Sequence, residues 1–156
     1  MEEVRRETEA VIDEGHKRLI AVYGEHPQSD ADYIADSMAT IYATKRVTPT
    51  GNGFNNIRRI NINAAPMSIE NLRKLWRAGI GTYQVFQETY HPGRYAELHP
   101  ANTIKGNFRW RLYAMHRAMD AGIDDVAIGA LFGLYDWRFE VMGLVHHAHD
   151  LERQFG

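Results

Sequence analysis

The sequence predicts an α/β fold in which about four parallel strands alternate with five helices. Amphipathic helical stretches are followed by glycine and then by a short apolar run, and this order recurs along the chain. The strings at residues 78–80 and 121–123 are identical, which marks two copies of this order. Such alternation is typical of parallel strands joined by crossover helices, either in a doubly wound sheet or in part of a (β/α) barrel.

The first two units occupy the N-terminal part of the chain. Residues 1–14 carry apolar side chains at helical spacing, and Gly15 ends this helix because glycine adopts the left-handed conformation at low cost. A strand is predicted at residues 19–23. The second unit consists of a helix at residues 32–45 and a strand at residues 58–65.

A loop and the third unit follow. Residues 48–56 are rich in proline, glycine and asparagine, which predicts a surface turn or insertion. Ser68 is a candidate N-cap for a helix centred on residues 72–76. Gly79 ends that helix, and a strand is predicted at residues 83–86.

The fourth unit repeats the same order near the C-terminus. A helix over residues 112–119 precedes Gly122, and an apolar run at residues 126–134 is predicted as the fourth strand. Asp136 is a candidate N-cap for the last helix, which extends to about residue 154.

Composition and charge argue against a disordered chain, a nucleic-acid-binding protein and a membrane protein. The 156 residues are 44% hydrophobic and 24% charged, with a net charge of −2, so a folded domain is expected and nucleic acid or an acidic membrane is a poor partner. No apolar run reaches the roughly 18 residues of a membrane span, and the acidic start is not a signal peptide. We expect a cytoplasmic protein.

The sequence has no cysteine, which excludes thiolate-held clusters within this chain.

Length bears on the choice between the two architectures. A closed (β/α) barrel needs about 250 residues, so this chain has room for about half of one. Half a barrel leaves parallel edge strands unpaired. We therefore expect either a flat three-layer domain or a fragment of a barrel.

Polar groups follow each predicted strand. In both architectures ligands bind at the carboxyl ends of the strands. Carboxylates, amides, imidazoles and glycines follow these ends, at residues 24–27, 61–66, 87–91 and 129–136. This set suits a small polar ligand that carries an amine or hydroxyl groups.

Two arginines precede the fourth strand on a predicted helix. Arg111 or Arg117 near this edge provides a fork for a carboxylate. The alternative for Glu25 and Arg117 is an ordinary solvated or capping role.

Five runs of sequence carry a family resemblance that extends over essentially the whole chain. They lie at residues 81–91, 98–100, 110–112, 121–125 and 132–137. They resemble the radical S-adenosylmethionine tyrosine lyases, in particular the branch that matures the iron-only hydrogenase. The 2-iminoacetate synthases of thiamine synthesis form the alternative branch.

The resemblance implies a (β/α) barrel with two cofactors. Three cysteines of a loop hold a 4Fe-4S cluster, and S-adenosylmethionine binds its open iron and is cleaved to a 5′-deoxyadenosyl radical. In this family the radical abstracts hydrogen from tyrosine, whose Cα–Cβ bond breaks to give p-cresol and dehydroglycine. The hydrogenase branch converts dehydroglycine to carbon monoxide and cyanide ligands.

The same resemblance implies a set of residues that bind S-adenosylmethionine: Gly24, Glu25, Glu88, Arg111, Arg117, Gly129 and Gly133. In the family pattern the Gly24–Glu25 pair meets the methionine amino group, Glu88 also contacts the molecule, and Arg111 receives its carboxylate. Gly129 and Gly133 match the strand beside the adenosine, and Arg117 fits the pattern without an assigned contact. These pairings agree with the chemistry of carboxylates, guanidinium groups and bare backbone.

The chain departs from the family by lacking cysteine and therefore the cluster loop. We expect residues 1–156 to be the central part of the barrel, inactive alone, with its edges covered by the remainder of the barrel or by a second copy. A cluster-free adenosyl-binding or assembly module and a flavodoxin-like domain are the alternatives. His146, His147 and His149 are expected to be polar residues of a helix surface, and no metal site is predicted.

Overall fold

The computed structural model describes residues 1–156. The helices are α1 (Glu2–Asp13), α2 (Ala31–Ala43), α3 (Ile69–Arg77), α4 (Pro92–Leu98), α5 (Phe108–Leu112), α6 (Ala114–Asp120) and α7 (Trp137–Phe155). The strands are β1 (Arg18–Val22), β2 (Lys45–Val47), β3 (Phe54–Asn56), β4 (Arg59–Asn63), β5 (Tyr83–Gln84) and β6 (Val126–Ala127). None of the helices is long and apolar enough to cross a membrane.

Four strands form one parallel sheet in the order β1-β4-β5-β6. Ala21 is in register with Ile62, Ile62 with Tyr83, and Tyr83 with Val126. Apart from the β2–β3 hairpin, strands that follow one another in the chain are therefore neighbours in the sheet. This is the order of a (β/α) barrel, and it confirms the predicted four parallel strands.

All the core helices pack on one face of this sheet. Ile60 and Ile62 of β4 are fully buried in a single cluster with apolar residues of α1, α2, α3, α6 and α7. On the opposite face, the Ile20, Val22 and Phe86 side chains are exposed. A doubly wound domain carries helices on both faces, so the one-sided packing supports the barrel and excludes the flavodoxin-like alternative.

The predicted N-cap residues and helix-ending glycines are confirmed at several helix ends. The Ser68 hydroxyl accepts a hydrogen bond from the Asn71 N–H at 3.3 Å, and the Asp136 carboxylate accepts one from the Arg138 N–H at 2.8 Å. Both side chains satisfy N–H groups that the first turn of a helix leaves free. Gly79 and Gly122 have positive φ angles of 84° and 102°, as predicted for residues that end a helix.

The five predicted helices are present as α1, α2, α3, α6 and α7, and the structure has two short helices more than predicted. The additional helices, α4 and α5, bury one side chain each, Tyr95 and Arg111, so neither has a repeating apolar face that the sequence would show. Their start signals are nevertheless in the sequence. The His91 ring accepts from the Arg94 N–H and Pro92 follows it, while the Asn107 side chain accepts from the Trp110 N–H.

Two segments differ from their predicted local structure. Residues 48–56 are predicted as a surface turn or insertion, and only residues 48–53 form a turn. Strands β2 and β3 flank this turn as an antiparallel hairpin in which Val47 pairs with Phe54. The apolar run at residues 126–134 forms a regular strand only at Val126–Ala127, and only two further backbone hydrogen bonds join it to the segment after β5.

Candidate functional site

The chain segments that follow β5 and β6 run side by side at the carboxyl edge of the sheet. The Gln87 N–H donates to the Gly129 carbonyl at 2.8 Å, and the Leu131 N–H donates to the Glu88 carbonyl at 2.7 Å. These bonds continue the sheet beyond its regular ladder. Residues 86–91 and 128–133 are thus held together as one edge of the candidate site, which we call the rim.

Arg111 is the most strongly constrained charged residue at the rim. Its side chain, at the end of α5, is only 9% exposed. Its Nε donates to the Phe86 carbonyl at 2.7 Å, and its Nη2 donates to Glu88 Oε1 at 2.9 Å. Its Nη1 is buried and has no hydrogen-bond partner. Two nitrogens therefore fix the guanidinium, and the third is left free for an anionic group.

Glu88 has an unusual backbone conformation. Its φ angle is 73°, and it is the only residue other than glycine with a positive φ. Its side chain is 13% exposed and lies between two cations, Arg111 and Lys105, with Lys105 Nζ 3.3 Å from Oε1. A left-handed conformation outside glycine is costly and often marks a functional site.

Glu25 and Glu88 lie at the same edge of the sheet. Glu25 follows the carboxyl end of β1 and Glu88 follows that of β5, and both strands are parallel to β4, which lies between them. Arg111 reaches this edge through its contact with Glu88. The same charges act on the buried Tyr95 hydroxyl: burial raises its pKa, Arg111 lowers it, and Glu88 and Glu25 raise it further.

Gly24 and Glu25 lie in the exposed loop after β1. They border a cavity of about 300 Å³ that is also lined by residues 65–67, Asn71 and Ile104. A methyl group at Gly24 would meet no atom within 4 Å, so packing does not require glycine there. Glu25 thus lines a space large enough for part of a small ligand.

Arg117 has a different environment from Arg111. Its Nε donates to the Met67 carbonyl at 2.8 Å, its Nη2 donates to the Trp110 carbonyl, and its guanidinium stacks 3.7 Å from the centre of the Trp110 ring. Burial lowers its pKa. These contacts tie the segment after β4 to α5, and a contact between Arg117 and a cofactor stays a prediction.

The two glycines of the fourth unit are required for different reasons. A methyl group at Gly129 would lie 2.5 Å from the Phe86 ring, so only glycine lets this ring lie against the neighbouring chain. Gly133 has a φ of 106° and no atom within 4 Å of a built methyl group. The backbone at Gly133 is therefore open to solvent or to a ligand.

Two residues that shape the rim are not predicted from the sequence. Glu140 of α7 is completely buried, and its Oε2 accepts from the Tyr90 N–H at 2.8 Å. Its position in the first turn of a helix suggests only a favourable interaction with the helix dipole. Lys105 lies in a loop with no motif around it, so only the fold shows that it approaches Glu88.

The histidines of α7 behave partly as predicted. His146 and His149 are exposed, whereas His147 turns inward, with its Nδ1 2.8 Å from the Tyr90 hydroxyl. Burial and the neighbouring His116 lower the pKa of His147 to about 4. No group of three or more histidine, aspartate or glutamate side chains is arranged to hold a metal ion.

The fold defines part of a (β/α)-barrel protein, and the rim is its candidate ligand site at the carboxyl ends of the strands. The sequence profile of the Radical SAM superfamily matches residues 1–142. The chain therefore belongs to the radical S-adenosylmethionine superfamily.

Curated relatives agree with this assignment. The chain is 31% identical over 155 residues to the 2-iminoacetate synthase of Salmonella typhimurium, an alignment that covers 98% of the chain and 38% of that protein. The Escherichia coli 2-iminoacetate synthase is 28% identical over 154 residues, with the same coverage.

Solved structures of hydrogenase maturases resemble this chain over almost its whole length. A crystal structure of HydG, a maturase of the FeFe-hydrogenase, has a TM-score of 0.92 at 47% identity over 99% of this chain and 33% of its own. HydG of Carboxydothermus hydrogenoformans has a TM-score of 0.87 at 42% identity over 99% of this chain and 34% of its own. Methylornithine synthase, at 18% identity and a TM-score of 0.69, shares the fold. The chain spans between a third and two fifths of the length of the 2-iminoacetate synthases and HydG proteins that it matches.

The residues present fit one of the two cofactors that the superfamily implies. Arg111 offers a buried, unpartnered Nη1 to a carboxylate, and the Glu25 and Glu88 carboxylates suit an ammonium group. These groups fit the methionine moiety of S-adenosylmethionine. They do not fit an iron–sulfur cluster, because the sequence contains no cysteine to supply a thiolate.

Proposed function

We propose that this chain is the central, S-adenosylmethionine-binding part of a lyase that cleaves the Cα–Cβ bond of tyrosine to p-cresol and dehydroglycine. The hydrogenase-maturation branch, which makes carbon monoxide and cyanide ligands, is the preferred assignment. The observation that carries the proposal is the 47% identity to HydG at a TM-score of 0.92, against 31% identity to a 2-iminoacetate synthase.

Within this function the chain binds and orients the cofactor. Arg111 Nη1 receives the methionine carboxylate, and the carboxylates of Glu25 and Glu88 accept from the ammonium group. The bare backbone at Gly129 and Gly133 lies beside the adenosine. When bound, S-adenosylmethionine supplies the radical that starts the reaction. The cysteines that hold the cluster are not in this sequence, so we propose that the chain is inactive alone.

The binding step is tested by calorimetric titration of S-adenosylmethionine into the chain. We expect saturable binding that Arg111→Met abolishes. Tyr113→Phe is the matched control, because Tyr113 is 48% exposed and its hydroxyl makes no hydrogen bond. Equal affinity in the Arg111→Met variant and the control would contradict the proposed carboxylate contact.

The reaction is tested in a chimera in which residues 1–156 replace the matching third of a HydG protein. The chimera supplies the cluster and the other strands, and it is assayed anaerobically with tyrosine and a reductant. We expect p-cresol to form, and to be lost in the chimera with Arg111→Met. A folded chimera with an intact cluster that makes no p-cresol would contradict the proposal.

The 2-iminoacetate synthase function is the second candidate, supported by the two curated relatives. Both branches release p-cresol, and a HydG host supplies its own carbon monoxide and cyanide chemistry, so these products cannot decide between the branches. Residues 1–156 are therefore also placed in a 2-iminoacetate synthase, in exchange for its matching segment. A higher rate of p-cresol formation in the HydG host supports the maturation branch, and a higher rate in the 2-iminoacetate synthase host supports the thiamine branch.

A cluster-free adenosyl-binding or assembly module is the third candidate. The exposed Ile20, Val22 and Phe86 side chains form an apolar face that the remainder of a barrel or a second copy would cover. A stable dimer of the chain that binds S-adenosylmethionine supports the module. A monomer that aggregates supports the role as part of a larger barrel.

A further inference from the structure

The strained conformation of Glu88 needs support from outside its own segment. A glutamate with a φ of 73° relaxes to a negative φ unless the residues around it are held in place. One hydrogen bond from the Leu131 N–H fixes its carbonyl on one side. The residues that follow, Thr89 and Tyr90, are both buried, so their polar groups also need partners.

Glu140 supplies those partners. Its Oε1 accepts from the Thr89 hydroxyl, and its Oε2 accepts from the Tyr90 N–H at 2.8 Å. The Thr89 hydroxyl oxygen in turn accepts from the His91 N–H at 3.1 Å. Glu140 is 0% exposed and forms no ion pair with any arginine, lysine or histidine. A buried carboxylate without a cation is expensive, and here both of its oxygens bind the segment next to Glu88.

Two further residues on the same side of α7 hold Tyr90. Gly143 lets the Tyr90 ring pack against the helix, since a methyl group there would lie 2.5 Å from the ring. The Tyr90 hydroxyl lies 2.8 Å from His147 Nδ1. Both the backbone and the side chain of Tyr90 are therefore fixed to α7, within two turns of Glu140.

We infer that Glu140 is a positioning residue for the S-adenosylmethionine site. By anchoring Thr89 and Tyr90, it keeps Glu88 in its left-handed conformation and its carboxylate beside Arg111 and Lys105. The hydrogen bonds of Glu140 go to Thr89 and Tyr90 and to none of the proposed ligand-binding groups. This inference rests on the proposed function only for the identity of the ligand.

The test compares Glu140→Leu and Glu140→Gln in the full 156-residue chain. Hydrogen exchange of the Tyr90 and Leu131 amides is measured without ligand, and S-adenosylmethionine affinity is measured by titration. Glu140→Leu is expected to speed exchange at both amides and to weaken binding, each by about tenfold. Glu140→Gln is expected to have a smaller effect, because its amide oxygen still accepts from the Tyr90 N–H while its NH2 can donate to the Thr89 hydroxyl oxygen.

Leu151→Ala is the matched control for a purely structural effect. Leu151 is a buried core residue of the same helix, far along the sequence from Glu140, so its truncation lowers the melting temperature without touching the rim. We expect it to leave the affinity unchanged. Gly143→Ala is a second, independent perturbation that displaces Tyr90 and is expected to weaken binding while Glu140 stays in place.

The outcomes separate this inference from the proposed function. The positioning role is overturned if Glu140→Leu changes the exchange rate of the Leu131 amide no more than Leu151→Ala does. If the leucine variant does not fold, Glu140→Gln is compared in its place. If the wild-type chain binds no S-adenosylmethionine, the proposed ligand is wrong, and exchange at Leu131 still decides the role of Glu140. Faster exchange at Leu131 together with weaker binding supports both.

Discussion

Arg111 Nη2 lies 2.9 Å from Glu88 Oε1, and this contact joins the end of α5 to the segment that follows β5. Both side chains are largely buried, at 9% and 13% exposure. The two residues are 23 positions apart in the sequence, so only the tertiary fold brings them together. Removal of either partner leaves the other as a poorly compensated charge in a protein interior.

The first prediction concerns this ion pair. Arg111→Met is expected to lower the free energy of unfolding by about 2–4 kcal/mol, because the buried Glu88 carboxylate then keeps only one cation, the half-exposed Lys105. Urea denaturation measures the change. The exposed pair between Lys74 and Asp32 provides the control, and Lys74→Met is expected to cost less than about 1 kcal/mol. Similar losses in the two variants would show that the Arg111 pair is no more important than a surface pair.

The second prediction concerns pH and His147. Its folded pKa of about 4 lies below the usual 6.5, so the unfolded chain binds a proton that the folded chain rejects between these values. Stability from the neutral ring is complete above pH 6.5 and is lost as the pH falls toward 4. Allowing for partial exposure, this loss is about 1–2 kcal/mol. His147→Gln is expected to flatten the dependence of unfolding free energy on pH in this window.

The third prediction concerns the close approach of Gly129 and Phe86. Gly129→Ala places a methyl group 2.5 Å from the Phe86 ring and is expected to destabilise the fold by about 1–3 kcal/mol. In the double variant with Phe86→Leu, the smaller side chain is expected to recover part of that loss. Additive effects of the two substitutions in thermal unfolding would contradict the direct contact.

The fourth prediction concerns the Tyr83 hydroxyl. This side chain is fully buried, and its single O–H is shared between the carbonyls of Ala64 and Ala65, at 3.1 and 3.0 Å. Tyr83→Phe leaves both acceptors short of a donor and is expected to cost about 1–3 kcal/mol in urea denaturation. Tyr113→Phe, at an exposed hydroxyl without a hydrogen bond, is expected to cost nothing measurable. An undiminished stability of Tyr83→Phe would show that water replaces the phenol at these carbonyls.

Regular elements are predictable from the sequence where a local signal is long enough to read. Ser68 and Asp136 are N-caps as expected, and the four parallel strands lie in the expected places. The short helices α4 and α5 are not predictable in this way, because each buries a single side chain, Tyr95 and Arg111, and so has no repeating apolar face. The β2–β3 hairpin escapes prediction because neither of its strands buries a side chain, so no alternating apolar pattern marks them.

The candidate site is predictable in its residue types and only partly in its geometry. The family pattern selects Glu25, Glu88 and Arg111. Glu25 and Glu88 follow the carboxyl ends of two parallel strands, and Arg111 contacts Glu88 at the same edge. It also shows the main contacts of Arg117 to be with Met67 and Trp110, which no local pattern contains.

By itself, the sequence determined the class of fold, the position of the rim and the family, because apolar periodicity, capping residues and long motifs are local properties of the chain. The tertiary structure alone decided which charges meet. The Arg111–Glu88 pair, the approach of Lys105 and the anchoring of Thr89 and Tyr90 by Glu140 join residues far apart in the chain. Such contacts depend on how helices pack against the sheet, and burial then gives them an energy that no local pattern encodes.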